Sequence, residues 1–346
     1  MRLHGLTLLV GVALLAGAGS AWTAEYAIPA GATRTAAVDT VPLPHRVHSR
    51  SGPIARARSK LVELQTAPFP YDGVVPKTQK PFLDVNENGR RGHRTPFGRV
   101  YWEDETYSDR QVLLHVPKGF DIRRPSMLIV YFHGHGAKLA DDVYLRQQVP
   151  AQISTSGVNA VLVAPQLAVN AADSSPGKLW QPGGFARFIG EAAQQLAKLH
   201  GDPRSVKSFA EMPVVIVAYS GGYQAAAWSV HHGGLGKRLR GVVLFDALYG
   251  DLDIFADWVA TQKSAFFIST YARSTEARNL QLQQILTERE IPFTTALAPR
   301  LQPGDVAFVG ATEAAHKDFL TQAWANDPLK DLLARLRGYS RLVTNR

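Results

Sequence analysis

Five short and almost wholly apolar runs constrain this chain more than any other feature. They are Met127-Leu128-Ile129-Val130-Tyr131-Phe132 and residues 160–164, 214–218, 242–245 and 265–269. Each is too short to cross a bilayer and too continuous for a strand with one wet face. Each is therefore expected to be a strand buried on both sides. The segments between them carry apolar residues at helical spacing, first Phe185, Phe188, Ile189, Ala192, Leu196 and Leu199, later Leu280, Ile285 and Leu286. This alternation predicts one doubly wound α/β domain over residues 97–340, a mostly parallel sheet with helices on both faces. Residues 98–103 and 110–116 are expected to pair antiparallel at its entrance.

The run at 214–218 leads through Tyr219 straight into Ser220-Gly221-Gly222, and a small-residue helix pattern, Ala225-Ala226-Ala227, follows at once. A tight strand-to-helix turn lifts the serine hydroxyl above the sheet edge, beside helix N–H groups that stabilise developing negative charge. The bland alternative is a serine capping a helix. With small residues at Ala218 and Gly222, the segment resembles the nucleophile elbow of the α/β-hydrolases, esterases and lipases among them. One departure is Ala218, where that family's pattern begins with glycine.

The resemblance extends to other strand ends. His133-Gly134-His135-Gly136 follows the run at 127–132. In such hydrolases a loop of this kind supplies half of an oxyanion hole, and the N–H after the nucleophile supplies the rest. That implies an N–H donor at His135, or at Gly136, together with that of Gly221. His133 and His135 as metal ligands is the competing reading, but no third ligand stands at a sensible spacing. The chain order serine, acid, histidine implies His316 as base, since His231 and His232 sit at the end of the helix after the elbow. For the acid, the run at 242–245 ends on Asp246, a position the resemblance permits. Glu276, Asp251 and Asp253 are the alternatives. Trp180, Phe185 and Tyr219 are expected to shape the substrate pocket, and Asp173 to bind a polar group. Acyl transfer to water through a Ser220 acyl-enzyme follows, with a small-molecule or polymeric ester as substrate and neither metal nor other cofactor implied. A peptidase, amidase or acyltransferase would use the same residues. A non-catalytic hydrolase-fold protein that binds an envelope component is the alternative from another class.

The rest of the chain sets the context. With 346 residues, 45% hydrophobic and 19% charged, it has the composition of a globular protein. It has no cysteine, which excludes disulfides, thiolate zinc sites and a cysteine nucleophile. The formal charge of +9 suits anionic surfaces, but Lys and Arg are scattered and no nucleic-acid motif occurs, so no nucleic-acid partner is expected. At the N-terminus, Arg2 and His4 precede an apolar run over 6–16 and the small residues Gly17, Ala18, Gly19, Ser20 and Ala21. This reads as a signal peptide, residues 1–21, cleaved after Ala21 or Ala24. It implies periplasmic or secreted localisation and no membrane span once removed. Residues 25–96 are rich in proline and are expected to form an extended arm, with only 54–65 helical. Within it Asp84-Val85-Asn86-Glu87-Asn88-Gly89 imitates the start of a calcium loop, but Thr95 stands where a bidentate Glu is needed, so turn chemistry is the simpler account.

Overall fold

In a computed structural model that describes residues 52–343, every one of the five apolar runs is a strand. The expected signal peptide and the first part of the arm, residues 25–51, lie outside the described residues. The main sheet comprises β1 Arg58–Glu63, β2 Gln111–Val116, β3 Met127–Phe132, β4 Ala160–Pro165, β5 Val214–Tyr219, β6 Leu239–Phe245, β7 Phe266–Tyr271 and β8 Val306–Gly310. Their order across the sheet is β1-β2-β4-β3-β5-β6-β7-β8. Only β2 runs against its neighbours, and the remaining pairs are parallel.

Side-chain alternation divides each strand between two cores, because successive residues face opposite sides of a sheet. Val130, Phe132, Ile216, Ala218 and Leu244 belong to one core. Helices α2 Gly184–His200, α3 Tyr223–His232, α4 Leu252–Thr261 and α5 Glu276–Glu288 contribute to that face. Ile129, Tyr131, Val217 and Phe245 belong to the other, under α1 Val149–Thr155 and α6 Pro328–Ala334. With helices on both faces, β3, β4 and β5 are buried at every position. The chain steps from β3 outward to β4 and then back past β3 to β5. The ends of β3 and β5 therefore flank a topological switch point, where α/β sheets open a crevice. No helix of the described residues is long and apolar enough to cross a membrane.

Two expectations need correcting. Residues 54–65 were expected to be helical, yet 58–63 form β1, paired in register with β2 through Leu61↔Leu113 and Val62↔Val112. Its side chains are mostly exposed, so no apolar alternation marks it, and the free backbone edge of β2 decides its conformation. Residues 98–103 do not pair with 110–116. Val100–Trp102 joins Arg90–Arg94 and Val85–Glu87 in a separate three-stranded sheet, and β2 pairs with β1 and β4. The segment 64–82 packs onto the domain, with Leu64, Phe69, Tyr71 and Phe82 buried in the core. The calcium-like stretch is a hairpin turn, in which Gly89 N–H donates to Asn86 Oδ1 at 3.0 Å.

Candidate active site

Ser220 stands where β5 ends and the turn into α3 begins, with φ of +52°. A left-handed conformation at a non-glycine residue is strained, and it persists because the surrounding backbone fixes it. That crowding explains Gly222, where a Cβ would stand 2.4 Å from the Phe132 carbonyl oxygen at the end of β3. Gly134 is restricted likewise, since its Cβ would fall 2.8 Å from that of Ser220. At Ala218, by contrast, a methyl group is accommodated in the core, so the sequence's departure from glycine has a place to go.

His316 begins a short turn, His316–Asp318, beyond β8. Its Nε2 lies 2.9 Å from Ser220 Oγ, and its Nδ1 bonds Asp246 Oδ2. A carboxylate only accepts, so Nδ1 carries the proton and the Nε2 lone pair faces the serine hydroxyl. Tyr219 fixes the ring from below. It stacks on the imidazole at 5.2 Å and 20°, and its hydroxyl donates to the His316 carbonyl at 2.7 Å. Tyr219 is thus a support for His316 and is 6% exposed, rather than a pocket wall.

Asp246 directly follows β6, fully buried, with φ of +43°. Burial by itself raises its pKa, but hydrogen bonds from His316, Ser274, Thr275 and the Ala272 N–H outweigh that and hold it below the usual value. Oδ1 takes the Ala272 N–H at 3.0 Å and the Thr275 hydroxyl, while Oδ2 takes Ser274 and His316. The turn after β7 therefore cradles a carboxylate that belongs to β6. Ala272, Ser274 and Thr275 escaped the sequence reading, because nothing local to 272–275 announces a partner near position 246. Glu276 is the first residue of α5, and Asp251 pairs with Lys77.

The loop after β3 divides the nominated oxyanion donors. Gly136 N–H already donates to the Ala171 carbonyl at 2.9 Å, so Gly136 drops out. His135 N–H has no acceptor among the described residues. Gly221 N–H stands in the first turn after Ser220, where helical N–H groups have no acceptor one turn back. The His135 ring covers Gly221, and its Nε2 meets Ser174 Oγ at 2.7 Å. His133 is a different kind of residue. It is buried, its Nδ1 donates to the Gly134 carbonyl at 2.7 Å, and its Nε2 accepts the Leu167 N–H at 2.9 Å. Burial lowers its pKa to about 4, so it is a neutral tie between the ends of β3 and β4.

Two expected pocket residues lie in the core. Phe185 is fully buried against Phe132 and Phe188, and Trp180 is 5% exposed against Tyr71 and Phe82. Helical spacing and loop position did not distinguish a ring facing the site from one facing the core. Asp173 accepts from Tyr107 at 2.8 Å and from Ser175, so its carboxylate is engaged within the protein.

The strand order, the single reversed strand and the serine turn at the end of β5 make this an α/β-hydrolase fold. No family model and no curated protein matches the chain. Similar solved structures include a ferulic acid esterase at 11% identity, covering 76% of this chain and 93% of that one, with a TM-score of 0.43. Another is an S954A mutant of a feruloyl esterase module from Clostridium thermocellum complexed with sinapinate, at 10% identity, 80% and 99% coverage and a TM-score of 0.43. A third is an S-formylglutathione hydrolase from Agrobacterium tumefaciens, at 12% identity, 72% and 97% coverage and a TM-score of 0.41. Likeness of this degree transfers no reaction to this chain.

Proposed function

We propose that this chain is a serine hydrolase that cleaves carboxylic esters, with Ser220 as nucleophile, His316 as base and Asp246 as the acid that orients it. The observation that supports the reading most is the connected geometry, Ser220 Oγ at 2.9 Å from His316 Nε2 with Nδ1 held by a buried carboxylate. Such a relay makes an ordinary hydroxyl nucleophilic at neutral pH. As Oγ attacks the ester carbonyl, its proton passes to Nε2 and the carbonyl electrons move onto oxygen. That oxyanion sits against the N–H groups of His135 and Gly221. The C–O bond to the leaving alcohol then breaks as His316 returns the proton to it. Water, deprotonated by the same nitrogen, attacks the acyl-enzyme, releasing the carboxylic acid and restoring Ser220.

Reaction with a fluorophosphonate tests the reading, because that probe modifies only an activated serine. Wild type should be labelled at Ser220, and Ser220→Ala should lose both label and nearly all ester turnover. The residue of about 10³–10⁴-fold over water is what binding and the oxyanion hole alone supply. Turnover near wild type in a clean Ser220→Ala preparation would end the proposal. The N-terminal pattern further supports export to the periplasm or beyond. Expressed in a Gram-negative host, the mature chain should start at Trp22 or Glu25, and an intact Met1 in the periplasmic fraction would reject a cleaved signal.

A further inference from the structure

One hydroxyl at the site has no part in the relay described above. Tyr249 follows Asp246 by three residues, and Ala247 and Leu248 between them are buried. Its ring stands edge-on to the His316 imidazole at 6.4 Å and 86°, with the Tyr223 ring at 6.0 Å. Its hydroxyl lies within hydrogen-bonding reach of the Ser220 and Ser274 side chains. Ser220, His316, Asp246, Ser274 and Tyr249 thus form a closed ring of polar groups. Three of its protons are committed. Ser220 donates to His316 Nε2, while His316 Nδ1–H and the Ser274 hydroxyl both donate to Asp246 Oδ2, which only accepts. Both serine oxygens therefore offer Tyr249 lone pairs alone. The phenol proton has a choice of partner, and rotation about the C–O bond moves it from one oxygen to the other. Burial raises the Tyr249 pKa above its ordinary value, and the Asp246 charge adds to this, so the proton stays on the phenol through the neutral range.

The better partner changes along the reaction. In the free enzyme Ser220 Oγ is a hydroxyl oxygen and a good acceptor. In the acyl-enzyme it is an ester oxygen whose lone pair is drawn toward the carbonyl, and Ser274 Oγ accepts better. During deacylation water attacks the acyl carbon and gives a proton to His316 Nε2. The C–Oγ bond then breaks, its electron pair passes to Oγ, and Nε2 returns a proton to that oxygen. Oγ gains negative charge as it leaves, so a donor aimed at it counts most in that step. Acylation gains little, because the bond to Oγ is already made before attack. We propose that Tyr249 is a further catalytic residue, whose hydroxyl turns from Ser274 to Ser220 Oγ and speeds hydrolysis of the acyl-enzyme. The inference rests on the serine-hydrolase reading.

Reaction with p-nitrophenyl dimethylcarbamate separates the two steps. Loss of esterase activity on adding it gives the rate of carbamoylation at Ser220. Recovery after its removal gives the rate at which the carbamoyl-enzyme is hydrolysed. Tyr249→Phe keeps the ring and removes only the hydroxyl. Carbamoylation of that variant should stay within about twofold of wild type, while recovery should slow about three- to tenfold, the scale of one neutral hydrogen bond. Recovery at the wild-type rate overturns the role. So does an equal loss in both steps, which is what a ring needed only for packing around His316 would give. Fluorophosphonate labelling of wild type tells the two failures apart, because its absence at Ser220 would instead overturn the underlying reading.

Discussion

Replacing Asp246 by asparagine isolates the role of the buried carboxylate, and the structure dictates how the amide must sit. Oδ1 accepts the Ala272 N–H at 3.0 Å, a backbone donor that cannot turn away. Oδ2 faces the Ser274 hydroxyl, which can rotate, and His316 Nδ1. The amide oxygen must therefore take the Oδ1 place, and the NH₂ group must point at the imidazole. Two donors cannot share that contact, so the imidazole moves its proton to Nε2 and presents a bare Nδ1. The Nε2–H then faces Ser220 Oγ across 2.9 Å and cannot remove its proton. A wrong tautomer of this kind lowers kcat by up to about 10⁴, or about 5.4 kcal/mol in the barrier. The fold keeps most of its contacts, and the lost charge-assisted bonds destabilise it by about 1–3 kcal/mol. Steady-state hydrolysis of p-nitrophenyl acetate, with urea unfolding in parallel, measures both quantities. Glu276→Gln on α5 is the matched control and should leave kcat within about twofold, since it adds nothing to the transition state. A folded Asp246→Asn enzyme within tenfold of wild type refutes the reasoning, and a crippled Glu276→Gln would move the acid to the turn after β7.

Further expectations concern packing and pH. Gly222→Ala would set a Cβ 2.4 Å from the Phe132 oxygen, forcing the ends of β3 and β5 apart by about 1 Å. The expected cost is about 1–3 kcal/mol of stability and about 10² in kcat, read from thermal melts and turnover. A wild-type melt would show that the two strand ends yield easily. His115, buried between Ser59 and Ser154, and His133 both have folded pKa values lowered by burial to about 4, against 6.5 for the free side chain. The unfolded chain thus binds more protons between those values, so this stability is complete above pH 6.5 and is lost as pH falls toward 4. Each histidine removes about 2 kcal/mol between pH 7 and pH 5, and His115→Gln should flatten roughly half of that slope in urea titrations. An equal slope in wild type and variant would contradict the assignment.

The sequence announced what lies in the middle of the sheet and concealed what lies at its margins. Strands β3 to β7 were legible because burial on both faces leaves an unbroken apolar run. At the edges, β1 is nearly all exposed and β8 contributes only Val306, Ala307 and Phe308 to the interior. Ser220, His135 and Gly221 could be nominated because the strand-to-helix turn and the glycine loop are local in sequence. Asp246 was nominated at a strand end, yet preferring it to Glu276 needed the donors of the β7 turn, which come from 26 to 29 residues away. Gly136 was misjudged for the same reason, since its N–H is taken by Ala171, a partner no local pattern indicates.

The position of β1 has a practical consequence for anyone shortening the gene. A recombinant chain beginning at residue 97, where the apolar alternation sets in, would lack the strand that shields the outer backbone of β2. Five of the six residues of β2 are buried, and only Gln111 is exposed. Bared along one side, such a strand is a template for edge-to-edge pairing with another molecule. The cut would also remove Leu64, Phe69, Tyr71 and Phe82, leaving Tyr107 and Trp180 without the rings they pack against. Such a truncation should collect in inclusion bodies even though Ser220, Asp246 and His316 are all encoded. A usable cloning boundary therefore lies ahead of Ile54, whose N–H and carbonyl both bond the 119–120 turn that leads toward β3.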